Sequence, residues 1–193
     1  MSTAPTRKEL SHDRILDVAS RAIRRTGYRG VGVADIMKEA GLTHGGFYAH
    51  FASRDALLVE AMQRASHENR AALAEATAHQ MAKGSSRFAA LIWAYLHDTN
   101  LDRTDQGCVV AALASEMTRQ DDAIRQEARQ RVSDLIDLVQ AALPTGTEAG
   151  QAAVVTATMV GALQLARTLG GPQGLALLAH TRDTLIQRYD TPS

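Results

Sequence analysis

The sequence predicts an all-α protein of about nine helices, and three observations predict it. Apolar residues recur at three- and four-residue spacing along most of the chain, the pattern of helices with one buried face. Only four prolines occur among 193 residues, at 5, 144, 172 and 192, where helices are expected to end. No alternating apolar–polar run bounded by turn residues is present, so no sheet is expected.

The elements follow in order. A first helix spans about Glu9 to Thr26, with the stripe Leu10, Ile15, Val18, Ala19, Ala22 and Ile23. Gly27 stops it, because glycine enters the left-handed conformation cheaply. After the connector 28–32, a second helix runs from about Val33 to Ala40, with Ile36, Met37 and Ala40 inward and Gly41 at its end. Thr43 caps a third, about His44 to His50, which places Phe47 and Phe51 on one face. Ser53 caps a fourth that reaches about Ala82, and Gly84-Ser85-Ser86 breaks the chain. A fifth helix spans about Arg87 to Asp98, a loop covers 102–107, and a sixth helix spans about Cys108 to Thr118. The seventh runs from about Asp122 to Leu143 and stops at Pro144. The eighth runs from about Ala149 to Leu169, Gly170-Gly171-Pro172 interrupts, and the ninth spans about Gln173 to Tyr189.

Several function classes drop out. The N-terminal residues are polar, with no apolar signal-peptide core, and the stretch from Ala152 to Leu169 is interrupted by Thr156, Thr158, Gln164 and Arg167. A cytoplasmic protein without a membrane partner is the expectation. No phosphate-loop, dinucleotide-fold or zinc-protease motif occurs, so neither cofactor nor enzyme activity is expected. A sole cysteine, Cys108, excludes an intramolecular disulfide. A di-metal carboxylate bundle needs two Glu-x-x-His pairs, and the chain has one, Glu9 with His12, so no metal site is expected. A helical protein–protein adaptor without DNA function stays open as one reading.

Two short helices joined through Gly41 make a helix-turn-helix, about residues 33–52. Such a hairpin is generic, but its local sequence is not. The stripe ILDVASRAI, Gly27-Tyr28, Asp35-Ile36, Ala40-Gly41-Leu42, Phe47-Tyr48, His50-Phe51 and Asp55-Ala56-Leu57-Leu58 together resemble the DNA-binding domain of TetR-family transcriptional regulators. The resemblance covers about residues 10–70. It implies that 71–190 form a helical domain for ligand binding and dimerisation.

The resemblance and the chemistry assign DNA contacts to Thr43, His44, Gly45, Gly46, Tyr48, His50 and Arg54. The first turn of the third helix is nearest base edges, and its two glycines let the backbone approach DNA closely. They also weaken that helix, which points to ordering on DNA. Tyr48 and His50 match a Tyr-x-His pair that contacts phosphates in the family. Arg54 stands in the place of a frequent lysine. Gly32 and Ala49 depart from the pattern, since polar residues are common at both positions in the family.

A formal net charge of zero argues against DNA only as a sum. Residues 1–55 hold nine Lys/Arg against six Asp/Glu, a +3 head, which leaves −3 for the rest. Arg24 and Arg25 read equally well as solvated helix charges.

A family member would be a homodimer with two recognition helices about 34–36 Å apart on a pseudo-palindromic operator. Val160, Gly161, Gln164, Leu178 and Leu185 are expected in the dimer interface. An unknown small-molecule effector would meet Phe88, Trp93, Cys108, Met117 and Met159, residues that serve equally well as core. Gly107-Cys108, followed by Leu113-Ala114-Ser115-Glu116, resembles a subgroup in which some members sense electrophiles or oxidants through this cysteine. A helix N-terminus, which favours thiolate, gives that reading a physical basis. The expected activity is therefore a repressor that leaves its operator on ligand binding or cysteine modification.

Overall fold

The structure is a computed structural model that describes residues 4–190. Among them are eight α-helices, two short 3-10 helices and no strand, and each of the nine predicted helices has a counterpart.

Helix α1 (Arg7–Thr26) starts two residues earlier than expected. Thr6 accepts the Glu9 N–H at 3.2 Å and Glu9 accepts the Thr6 N–H at 2.6 Å, a reciprocal cap written in the sequence as Thr-x-x-Glu. Leu10 lies outside the stripe, half-exposed. Helix α2 (Val33–Glu39) ends at Ala40, and Gly41 turns the chain at φ 69° so that the Leu42 N–H reaches the Met37 carbonyl. The third predicted helix is not α but a six-residue 3-10 helix, η1 (His44–Ala49). Two of its six residues are glycines, the poorest helix formers after proline, and so short a segment gains little from i→i−4 bonding.

Helix α3 (Arg54–Ala82) is 29 residues long and capped by the Ser53 hydroxyl. Its first half buries Leu57, Leu58, Ala61, Met62 and Ala65, packed chiefly on α1. Its second half belongs to the C-terminal helices, so a domain boundary near residue 70 falls inside one continuous helix.

Helix α4 (Arg87–Tyr95) stops short of the predicted Asp98. The Asn100 side chain donates to the carbonyls of Ala94 and Tyr95, which caps the last turn and leads into η2 (Asp98–Asn100). Helices α5 (Val109–Met117) and α6 (Asp122–Gln140) follow, with Cys108 as the N-cap residue of α5. Helices α7 (Gln151–Leu169) and α8 (Gly171–Tyr189) are separated by Gly170 alone. The predicted three-residue break shrinks because Pro172 sits in the first turn of α8, where its missing N–H costs no hydrogen bond.

One apolar core runs through both halves. Helix α8 lies so close to α7 that a Cβ on Gly174 would meet the Ala166 carbonyl at 2.4 Å. Leu178 and Leu185, expected at the dimer interface, are core residues instead, because they face this α7–α8 contact. By length and composition α7 could cross a membrane, but Ala152, Val155, Met159, Leu163 and Ala166 face the interior of the helical bundle.

Candidate nucleic-acid interface and ligand cavity

The helix-turn-helix is held from below. Phe47 and Phe51 are buried and stacked 5.6 Å apart, and Tyr28 is fully buried with its hydroxyl on the Met62 sulfur. Burial raises the Tyr28 phenol well above its ordinary value, with Glu116 and Glu127 adding to the shift. That anchoring leaves the outer surface of η1 free. Tyr48 is 75% exposed and meets Phe47 edge-on. Thr43, His44 and Gly45 are exposed beside it. Thr43 occupies the N-cap position, but its hydroxyl makes no capping bond.

Nothing inside the protein requires glycine at 45 or 46. Neither has positive φ. A Cβ on Gly45 would meet nothing within 4 Å, and on Gly46 only ordinary contacts with Met37 and Thr43. The fold itself therefore has room for a side chain at both positions. Gly32, at the N-cap of α2, supplies no side-chain cap, as its lack of a side chain requires.

His50 is half-buried, and its Nδ1 is buried without a hydrogen-bond partner among the described residues. Burial pushes its imidazole below the ordinary histidine value, and the neighbouring His12 and Lys8 push the same way. Arg54, expected at the DNA, is also engaged within the fold. Its guanidinium donates to the Tyr28 and Val31 carbonyls, tying the 28–32 connector to the start of α3. The Glu9–His12 pair is dispersed: Glu9 closes the α1 cap, and His12 bonds Glu60 at 2.9 Å.

Behind this head lies a cavity of about 640 Å³ between α1, α3, α4, α7 and the 97–107 loop. Trp93 and Cys108 line it, as expected. Phe88, Met117 and Met159 do not; they are buried core residues, and Phe88 packs edge-on against Tyr189. The polar wall was not foreseen. It includes Tyr95, whose buried hydroxyl lies beside the Cys108 thiol without a well-formed hydrogen bond among the described residues, and Arg167, which donates to the Asn100 and Arg103 carbonyls. Burial, with Cys108 close by, raises the Tyr95 phenol. Burial likewise lowers the Arg167 guanidinium. Arg24, read as a possible solvated charge, is buried: it bonds Glu68 at 3.0 Å and donates to the Ala65 and Gly107 carbonyls. Arg25 is the exposed one of the two.

An exposed apolar stripe marks the far side. Val154, Leu165 and Leu169 on α7 and Leu175 on α8 are exposed. Of the residues expected there, Val160 and Gly161 are half-buried at its edge, and a Cβ on Gly161 would meet open space. Gln164 is drawn inward, donating to the Ala111 carbonyl at 2.9 Å.

Comparison with known proteins agrees with this geometry. Residues 15–61 match the family model described as bacterial regulatory proteins, tetR family, and residues 84–181 match the tetracyclin repressor-like C-terminal domain. No curated protein sequence matches the chain. Among solved structures, the chain is similar to the reduced form of NemR from E. coli, with 21% identity, TM-score 0.77, and 95% and 98% of the two chains covered. It is similar to a TetR transcriptional regulator from Chloroflexus aurantiacus, with 24% identity, TM-score 0.76 and 93% and 94% coverage. A TetR-family regulator from Agrobacterium tumefaciens shares 27% identity at TM-score 0.72, with 94% and 98% coverage. An N-terminal helix-turn-helix with an exposed tip, joined by α3 to an all-helical domain with a cavity at the junction of the two, thus has a family: the chain belongs to the TetR family of DNA-binding transcriptional regulators.

Proposed function

We propose that the protein is a homodimeric repressor that binds a pseudo-palindromic operator and leaves it when a small molecule occupies the cavity. The observation that carries the DNA reading is the tip of η1, where a 75%-exposed tyrosine stands beside glycines that the fold itself does not need. Tyr48, Thr43, His44 and His50 offer donors to phosphates and base edges, and Gly45 and Gly46 admit the DNA surface. Arg54 acts one step back, by holding the connector behind η1.

The α7–α8 stripe of Val154, Leu165, Leu169 and Leu175 is the dimer face, a self-complementary apolar patch of the kind two-fold interfaces use. Effector control enters through the cavity, because it borders α1 of the DNA-binding head and α7 of the dimer face together. Occupancy that changes their spacing changes the separation of the two η1 tips, provided the ligand prefers one arrangement. Cys108 stands in the same wall, so an electrophile entering the cavity meets its thiol there.

Gel shift and footprinting with DNA from upstream of the protein's own coding region test the reading. A protected palindrome and steep loss of affinity with salt support it. Absence of binding at low salt to any such fragment rejects it.

A further inference from the structure

The cavity carries information about the charge of its ligand. Of its two acids, Asp17 is paired with Arg64, and Glu68 with Arg24 and Arg64. Its other arginines, Arg21, Arg103 and Arg167, have no carboxylate partner among the described residues. Arg167 is set among Tyr95, Cys108 and Leu163, with only the carbonyls of the 98–103 turn as acceptors. Arg167 is a half-buried cation without a counter-charge, which favours an anion beside it, and a buried hydroxyl without a well-formed bond is costly. The Tyr95 hydroxyl is buried in the same wall with the Cys108 thiol beside it and no well-formed hydrogen bond among the described residues. Leu73, Ala76, Trp93 and Leu163 give the cavity an apolar side. Its volume of about 640 Å³ lies within the usual range for small-molecule sites.

We propose that this cavity takes an organic carboxylate, its anionic end bound by Arg167 and Tyr95 and its aromatic or aliphatic body lying along Trp93 and Leu73. The assignment rests on the reading of the C-terminal region as an effector domain. It adds the chemical class of the effector. With Nε and Nη2 engaged by the Asn100 and Arg103 carbonyls, Arg167 has its Nη1 donors and its positive charge left for a carboxylate, an attraction that a neutral amide lacks. Arg21 and Arg103 at the mouth draw the anion in.

Trp93 is the sole tryptophan of the chain, so its emission reports the cavity directly. The full-length protein is titrated with octanoate and phenylacetate, and with octanamide and phenylacetamide as neutral counterparts. The expected result is saturable change with at least one acid, about tenfold tighter than with its amide. Arg167→Met is expected to weaken that acid by about tenfold or more. Arg167 also holds the 98–103 turn, so Tyr95→Phe and Arg103→Gln, which leave that turn intact, provide independent variants, each expected to weaken it severalfold. Equal binding of acid and amide overturns the proposal. So does the absence of saturation with either acid up to about 10 mM, or undiminished acid binding in both Tyr95→Phe and Arg103→Gln. Gel shift is run separately. Acid binding by a chain that ignores DNA keeps the carboxylate site and removes the regulator; DNA binding by a chain that ignores both acids does the reverse.

Discussion

The Glu116 carboxylate on α5 accepts the backbone N–H of Tyr28 at 3.2 Å, and the same carboxylate covers Gly27 so closely that a Cβ there would lie 2.2 Å from its oxygen. A residue of the C-terminal domain thus closes the end of α1. Gly27 also has φ 71°, which a side chain disfavours. Gly27→Ala is therefore expected to destabilise the fold by about 2 kcal/mol through strain and displacement of Glu116. Urea unfolding measures it; a midpoint unchanged from the parent contradicts the contact.

Tyr48→Ala removes an exposed ring, so its unfolding free energy should change by less than about 0.5 kcal/mol. Operator binding should be lost while the dimer survives sizing. Normal gel shift by this variant places the DNA contact elsewhere.

Gly45→Ala separates folding from binding more sharply. The fold has room for the methyl group, and alanine favours helix by about 1 kcal/mol over glycine. Stability should hold or rise while operator affinity falls. Affinity equal to the parent removes the close approach of DNA at this position.

The fold holds His50 below the ordinary imidazole value, burial first and His12 and Lys8 after it. The unfolded chain binds a proton there more readily than the native one does. The contribution of His50 to stability is fully present above the ordinary imidazole value of 6.5 and is lost as pH falls below it, through the lower native value. Denaturation at pH 7.5 and pH 5 should show a smaller loss in His50→Asn than in the parent. Equal losses assign the acid sensitivity to other groups.

Leu165→Asp puts a charge on a side chain that is 60% exposed in the protomer. If α7 is the dimer face, sedimentation should show monomers with unchanged helical content. A dimer that persists moves the interface off this stripe.

Cys108→Ser should abolish release of operator DNA by N-ethylmaleimide while leaving release by a non-covalent ligand in place. Release by the reagent that persists in the variant excludes the Cys108 thiol as its target.

The readable and unreadable parts of the sequence divide along physical lines. Gly27 and Gly41 mark turns because φ > 0 is a local demand that the residue itself advertises. The pattern around Phe47, Tyr48 and Phe51 is equally local. Leu178 and Leu185 misled because α8 has apolar residues on more than one side, and periodicity does not tell the side facing α7 from the side facing a partner. Phe88, Met117 and Met159 misled similarly, since large apolar residues fill cores and line cavities alike. Tyr95, Arg24 and Arg167 stand far apart in sequence, and only the packing of α1, α4 and α7 gathers them. The Thr6–Glu9 cap was available from its spacing alone.

Because α3 passes from the cavity wall to the base of the helix-turn-helix without a joint, it acts as a lever arm. At 1.5 Å per residue the arm from Ala76 at the cavity to Arg54 is about 33 Å long, so a tilt of about 7° at one end displaces the other by about 4 Å. That is about the rise of one base-pair step. In the dimer proposed above, such a tilt would put one half a full step out of phase with its operator.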